Sequence, residues 1–212
     1  LAIVAVVIII LGTWAIQNAD LEVTGQASST NPTPLTACQR ISGRQQTFVL
    51  TQDISAPSMS SQNEQCITTS ASDITIDCQG HTIRGSGTGV GIAIGSISDR
   101  TTVKNCKITN FYTAIELSNN KGSRLINNEL FNNRRAGIHC AVHAYDVLAE
   151  NNFAHDNGEF GFYWAHHCYR GQIKNNEASR NGEDGFRWFD NAVNPNLENN
   201  IANDNERCGY TF

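Results

Sequence analysis

The chain has 212 residues, a formal net charge of −5, and only 4 lysines beside 11 arginines. This length suits one folded domain with appended segments. Because so few cations cannot form a basic face, nucleic acid is excluded as an expected partner.

The first sixteen residues, which begin at Leu1 and end at Ile16, carry no charge. As an α-helix they would span about 24 Å, slightly less than the roughly 30 Å hydrocarbon core of a bilayer. The run is either a membrane anchor or an apolar helix exposed by processing. The second alternative resembles type IV pilins and archaeal pilin-like proteins, although Ala5 stands where bacterial pilins commonly have an acidic residue. Residues 1–17 are therefore predicted to be an apolar α-helix that packs against other copies or lies in a membrane.

Residues 18–37 differ in composition, with a Ser-Ser-Thr run at 28–30 followed by Pro32 and Pro34. Such Ser/Thr/Pro-rich sequence is typical of a semi-extended linker. A folded domain is predicted to follow it, over residues 38–212.

The first part of that domain alternates apolar and polar residues as short β-strands do. Its runs TFVLTQDI (47–54), ITIDCQGHTI (74–83) and TTVKNCKITNF (101–111) resemble the opening coils of NosD-type proteins. These proteins belong to the pectate-lyase-like right-handed β-helix superfamily, whose repeats are often labelled carbohydrate-binding and sugar-hydrolysis modules. The resemblance extends over residues 38–212 and implies the fold. It implies no particular activity, because lyases, hydrolases, epimerases and adhesins share this fold.

The second part of the domain repeats itself every 24 residues. Asn-Asn pairs begin at Asn127, Asn151, Asn175 and Asn199, and a Gly-apolar pair recurs at the same step from Gly137 onward. A fixed period in the twenties with short strands and polar corners predicts a solenoid. The expected fold class is all-β, a right-handed parallel β-helix with ~24-residue coils about 4.8 Å apart.

The repeat also predicts which side chains are buried. Five apolar residues are expected to point inward, and His139, Tyr163 and Arg187 are expected to point outward. The second Asn of each pair is expected to form a ladder of bonded amides at one corner. The inward set is Leu125, Ile138, Ile173, Phe186 and Leu197, and the ladder is Asn128, Asn152, Asn176 and Asn200.

The seven cysteines suit an exported protein with disulfides. Cys38 and Cys66 are the preferred pair, whereas Cys78 and Cys106 could pair or merely stack. The three later cysteines could equally be small buried apolar residues. An odd number leaves at least one cysteine free or bridged to another copy.

One outward face carries the candidate site residues. Its first column is Glu116, His139, Tyr163 and Arg187; a second holds His166 and Asp190, with His143 and His167 beside it. As a binding surface, the face would use Glu116, Tyr163, His166, His167 and Arg187. As an active site, it would use Arg187 to neutralise a sugar carboxylate and His139, Tyr163, His143 or Asp190 in proton transfer at C5. An ordinary polar face or a subunit contact is the alternative to both.

No metal site is predicted, since His166 and His167 are adjacent and would face opposite sides of a strand. An imidazole site would need His143 and His139 in addition. The acidic turns near Glu183, Asp184 and Asp204 could bind calcium at low affinity, although the nonapeptide calcium repeat is absent.

Two functions remain open. The favoured one is an extracellular structural or adhesive surface protein, a pilin-like filament subunit that self-associates through residues 1–16, contacts the membrane before assembly and presents a glycan-binding β-helix head. The alternative is a surface-anchored polysaccharide lyase or uronate epimerase. The last repeat ends at Phe212 without a polar cap, which favours a covering molecule or further chain.

Overall fold

The computed structural model describes residues 31–192 and 195–212. Over these ranges the protein is an all-β, right-handed parallel β-helix of about 7 coils, and no α-helix occurs in them. The predicted helix at 1–17 and most of the predicted linker lie outside the described residues. Within the described part, no helix has the length and apolarity needed to cross a membrane.

The coils contribute their strands to three parallel sheets. Sheet A contains β1 (Thr33–Leu35), β3 (Thr47–Leu50), β6 (Thr75–Asp77), β9 (Thr102–Lys104), β12 (Arg124–Ile126), β15 (Leu148–Glu150), β18 (Gln172–Lys174) and β21 (Asn196–Glu198). Sheet B contains β2 (Gln39–Ile41), β5 (Gln65–Thr69), β8 (Val90–Ile94), β11 (Thr113–Ser118), β14 (Ala136–Val142), β17 (Phe160–Trp164), β20 (Asp184–Trp188) and β23 (Cys208–Thr211). Sheet C contains β4 (Ile54–Ser55), β7 (Thr82–Arg84), β10 (Lys107–Thr109), β13 (Glu129–Phe131), β16 (Phe153–His155), β19 (Glu177–Ser179) and β22 (Ile201–Asn203).

The solenoid begins earlier than the sequence predicts. Strand β1 lies inside the stretch assigned to the linker, and Thr33 pairs with Phe48 of β3. Leu35 is fully buried, so this short strand already contributes to the core. The 24-residue step holds from β12 to β15, where Arg124 pairs with Leu148, but the first coils are longer, as Thr47 pairs with Thr75.

The core is a continuous stack of apolar side chains inside the coils. Leu125, Ile138, Ile173 and Phe186 are fully buried, as predicted. Leu197 is only partly buried, because it lies in the last described coil and packs against the core from one side.

The predicted ladder of second asparagines is present. Asn128, Asn152 and Asn176 each donate their side-chain amide to Oδ1 of the next ladder residue at 2.9–3.0 Å. The first Asn of each pair adopts a left-handed backbone, with φ of 55° at Asn127 and Asn151. Asparagine suits this position because its short polar side chain tolerates left-handed angles.

A second ladder, which the sequence analysis missed, runs along the corner between sheets C and B. Asn133, Asn157 and Asn181 each donate to Oδ1 of the next member, and the last acceptor is Asn205. The signal was available, because these four residues also recur every 24 positions.

Three disulfides link neighbouring coils. They join Cys38 to Cys66, Cys78 to Cys106, and Cys140 to Cys168, each across a sequence separation of 28. The sequence leaves the third pair open, although it shares that separation with the other two. Cys208 is free and exposed.

Candidate functional site

The first predicted column is present on the outer face of sheet B. Glu116 pairs in register with His139, His139 with Tyr163, and Tyr163 with Arg187. The sequence therefore identified the right neighbours on the right face.

Other side chains nevertheless cover this column, so it is less open to ligands than the sequence predicts. The side chains of His139 and Tyr163 are only 6% and 7% exposed. Their rings stack with centroids 4.9 Å apart, and the guanidinium of Arg135 lies 4.9 Å from the centre of the Tyr163 ring. Burial lowers the pKa of His139, although Nδ1 lies 3.2 Å from a carboxylate oxygen of Glu116. The buried, stacked imidazole of His139 therefore has little access to a substrate.

Arg187 is engaged within the protein. Its guanidinium lies 3.1 Å from Oδ2 of Asp184, which is fully buried, and 3.8 Å from Glu183. It also lies over the ring of Phe160, 5.3 Å from the centroid. Two of the three carboxylates predicted for calcium, Glu183 and Asp184, are therefore in contact with arginines, since Glu183 also lies 3.6 Å from Arg207. No cluster of three or more His, Cys, Asp or Glu side chains able to hold a metal occurs within 31–192 and 195–212.

The other predicted site residues lie where the chain passes from sheet B to sheet A. We call this the ring corner, formed by residues 118–121, 142–146 and 166–170. His143 stacks on His167 with centroids 5.1 Å apart, and Nδ1 of His166 lies 2.7 Å from Oδ2 of Asp190. His143 and His166 are exposed, in contrast to His139.

A row of tyrosines, absent from the sequence predictions, runs beside the histidines. Tyr145 stacks on Tyr169 with centroids 5.3 Å apart, and Oη of Tyr169 lies 2.8 Å from Nδ1 of His167. Isolated bridges align Lys121 with Tyr145 and Tyr145 with Tyr169. The 24-residue step from Lys121 to Tyr145 to Tyr169 could have revealed this row.

The two rows of rings end at a hollow. In the preceding coil the positions of His143 and Tyr145 are taken by the non-aromatic residues Asn119 and Lys121, so the stack is not continued. A shallow, open hollow with a volume of about 450 Å³ lies there, lined by Asp99, Asn119, Asn120, Lys121, His143 and Tyr145. The rings of His143 and Tyr145 thus border a space large enough for a small ring-shaped ligand.

Charge around the hollow is largely paired. Arg170 makes a two-bond contact with Asp146, at 2.7 and 2.9 Å, and this contact lowers the pKa of Asp146. Oδ1 of Asp99 accepts the backbone N–H of Lys121 at 2.8 Å. The ammonium of Lys121 forms no ion pair with any carboxylate in the described part of the chain. Lys121 can therefore donate hydrogen bonds to a ligand, and Asp99 can accept them.

Two solved structures resemble the solenoid. The A-module of the mannuronan C-5 epimerase AlgE6 of Azotobacter vinelandii aligns with a TM-score of 0.54 and 14% identity, over 84% of this chain and 65% of that one. The Dettilon tailspike protein (gp208) aligns with a TM-score of 0.45 and 10% identity, over 80% of this chain and 38% of that one. The chain thus spans less than two thirds of the length of either protein. At these identities the likeness concerns the fold alone.

No curated protein matches the sequence. A family model described as the right-handed β-helix region matches residues 65–212, which is more than half of the chain. The strand order and stacked coils of this protein agree with that description. The chain therefore belongs to the right-handed β-helix family.

Proposed function

We propose that this protein is an extracellular glycan-binding protein whose ring corner holds a sugar ring. The observation that carries the proposal is the hollow in which the histidine and tyrosine rows end. Binding sites for small ligands combine aromatic walls with a few convergent polar groups. Here the rings of His143 and Tyr145 offer flat apolar surfaces, while Lys121 and Asp99 offer a donor and an acceptor.

Binding is favoured over catalysis because the candidate catalytic residues are not accessible together. His139 and Tyr163 are buried against each other, and Arg187 is paired with Asp184. A uronate lyase or epimerase needs an open arginine beside a proton-transferring group within hydrogen-bond reach of its substrate. The similarity to an epimerase module, at 14% identity, extends to the fold and adds no support for the enzyme alternative.

An extracellular location is supported by the three disulfides, which form and persist in oxidising compartments. Attachment or self-association through residues 1–16 is part of the proposal and rests on the sequence alone. Val7→Asp would place a charge in that apolar run, and we expect it to abolish assemblies of full-length protein seen by electron microscopy. Assemblies of unchanged appearance would refute the pilin-like element.

The glycan proposal is tested with the full chain on an oligosaccharide array that includes cellohexaose, as a neutral linear chain, and hexamannuronate, as an acidic one. We expect binding that Tyr145→Ala reduces about tenfold or more, equal to at least about 1.4 kcal/mol. Tyr112→Ala is the matched control, because Tyr112 is also half-buried and lies near an arginine, 5.8 Å from Arg135, but does not line the hollow. Equal losses for both variants, or no binding to the array, would refute the proposal.

A further inference from the structure

We infer that the Cys140–Cys168 disulfide positions the rings of the hollow, a role separate from its contribution to overall stability. The binding measurement that tests this inference rests on the proposed function. The positioning role itself rests on the geometry of the ring corner. Cys140 lies in β14, and Cys168 lies in the ring corner of the next coil, with their Cα atoms 6.3 Å apart. Both cysteines are buried, whereas the ring of His143 is exposed and those of Tyr145, His167 and Tyr169 are half-buried.

The crosslinked residue stands between the two rings that support the wall of the hollow. Cys168 is flanked by His167 and Tyr169, whose side chains are 2.8 Å apart at Nδ1 and Oη. His167 stacks on His143, and Tyr169 stacks on Tyr145. Fixing Cys168 inward therefore fixes the backbone on which both supporting rings stand.

The backbone at this point needs such a constraint. His166 and His167 are consecutive left-handed residues, with φ of 44° and 68°, and Arg170 follows with φ of 52°. Left-handed angles in residues other than glycine persist where the surrounding structure holds them in place. In the next coil the two matching positions are Asp190 and Asn191, residue types whose short polar side chains tolerate these angles, and no disulfide is present there.

Neighbouring coils show that the fold itself does not need cysteine at these positions. Leu117 and Trp164 occupy the position of Cys140 in the adjacent coils. Ala144 occupies the position of Cys168, since Tyr145 aligns with Tyr169. The disulfide thus joins the coil of His143 and Tyr145 to the coil that supplies the supporting rings, His167 and Tyr169.

The test compares two disulfides in the full chain. The variant C140A/C168A removes the proposed positioning crosslink, and C78A/C106A removes a control crosslink that also spans 28 residues but lies away from the ring corner. Because the loops are equal in length, loop-closure entropy predicts a similar loss of global stability for both variants. Two readouts follow: amide hydrogen exchange of residues 143–146 and 166–170 without ligand, and the Kd for cellohexaose.

We expect exchange at the ring corner to accelerate about tenfold or more in C140A/C168A relative to C78A/C106A, as local opening there becomes easier. The Kd for cellohexaose should rise by a similar factor only in C140A/C168A. Equal exchange at the corner in the two variants would overturn the inference whatever happens to binding. Absence of cellohexaose binding by the unmodified protein would count against the proposed function, and the exchange comparison would still decide the inference.

Should C140A/C168A fail to fold, C140L/C168A takes its place. Its residues are those found at Leu117 and Ala144 in the preceding coil, so the core stays filled. The same exchange comparison with C78A/C106A then applies. Faster exchange at the ring corner supports the inference, and equal exchange overturns it.

Discussion

Asn128 donates its side-chain amide to Oδ1 of Asn152 at 2.9 Å, and the same oxygen accepts the backbone N–H of Asn128 at 3.0 Å. The amide of Asn152 in turn donates to the carbonyl of Leu125 and to Oδ1 of Asn176. Both asparagines are almost fully buried. The side chain of Asn152 therefore satisfies polar groups of both neighbouring coils in a place that water does not reach.

Asn152→Leu should destabilise the protein, because the buried backbone N–H of Asn128 and the carbonyl oxygen of Leu125 both lose the side chain that they bond to. The ladder bonds of Asn152 to the side chains of Asn128 and Asn176 are lost as well. A buried polar group left unpaired costs about 1–3 kcal/mol. The measurement is the urea midpoint at constant slope, from which the free energy of unfolding is obtained. Asn63→Leu, in an exposed loop, is the control and should change little. Equal stability of Asn152→Leu and the unmodified protein would show that the ladder does not stabilise the fold.

The ladder was predictable because a 24-residue period becomes a column once coils stack. The same reasoning identified the inward set and the neighbours in the Glu116 to Arg187 column. It also contained the second ladder and the tyrosine row, whose members follow the same step. The 24-residue period therefore contains the information on which residues stack in register from coil to coil.

The burial of His139 and Tyr163 was not predictable in that way. Alternation assigns a side chain to one side of a strand, but it does not report which long side chain lies over it. Arg135, at the corner before β14, reaches across to the Tyr163 ring. The hollow at Lys121 likewise depends on side-chain conformations in three coils, which sequence spacing does not define.

Replacement of Gly161 by alanine should destabilise the protein. A Cβ atom there would lie 2.7 Å from the carbonyl oxygen of Gly185 and 2.8 Å from Cβ of Ala178. Overpacking of this kind costs about 1–3 kcal/mol, because backbone and core must move apart. Gly95→Ala is the control, since a Cβ at Gly95 meets no atom within 4 Å. Comparable thermal midpoints for the two variants would contradict the close approach of sheets B and C.

Acid should weaken the contact between Asp156 and Arg180. The hydrogen bonds from Arg180 hold the pKa of Asp156 at about 2, below the usual 3.8. Since this pKa is lowered in the folded state, the contact stabilises the protein fully above about pH 4. That stabilisation is lost as the pH falls towards about 2.

Arg180→Gln should therefore lower stability at pH 5 and 7 and have a much smaller effect near pH 2, where about half of the Asp156 carboxyl groups are protonated. Urea midpoints of both proteins at several pH values provide the measurement. Arg134→Gln is the control, because Arg134 is exposed and forms no ion pair among the described residues. Curves for Arg180→Gln and the unmodified protein that stay parallel down to pH 2 would contradict the assigned role of Arg180.

Arg187 separates the structural and catalytic interpretations of the sheet B face. Asp184 is fully buried, its Oδ2 lies 3.1 Å from Arg187, and its Oδ1 has no hydrogen-bond partner in the described structure. Removing one partner of a buried ion pair leaves an uncompensated charge and typically costs about 3–5 kcal/mol. We therefore expect Arg187→Ala to destabilise the protein by roughly that amount.

The double variant R187A/D184A should recover part of this loss, because it removes the stranded carboxylate together with its partner. A double-mutant cycle from urea unfolding measures the coupling between the two residues. A uronate polymer is offered to the same four proteins, and its cleavage and epimerisation are followed. If Arg187 served catalysis, Arg187→Ala would abolish turnover and leave the free energy of unfolding almost unchanged. Adding Asp184→Ala to that variant would then not restore turnover. The buried pair predicts instead that Arg187→Ala loses stability and that the unmodified protein shows no turnover. The reason is that a guanidinium bonded to Asp184 and packed over Phe160 is held away from a sugar carboxylate.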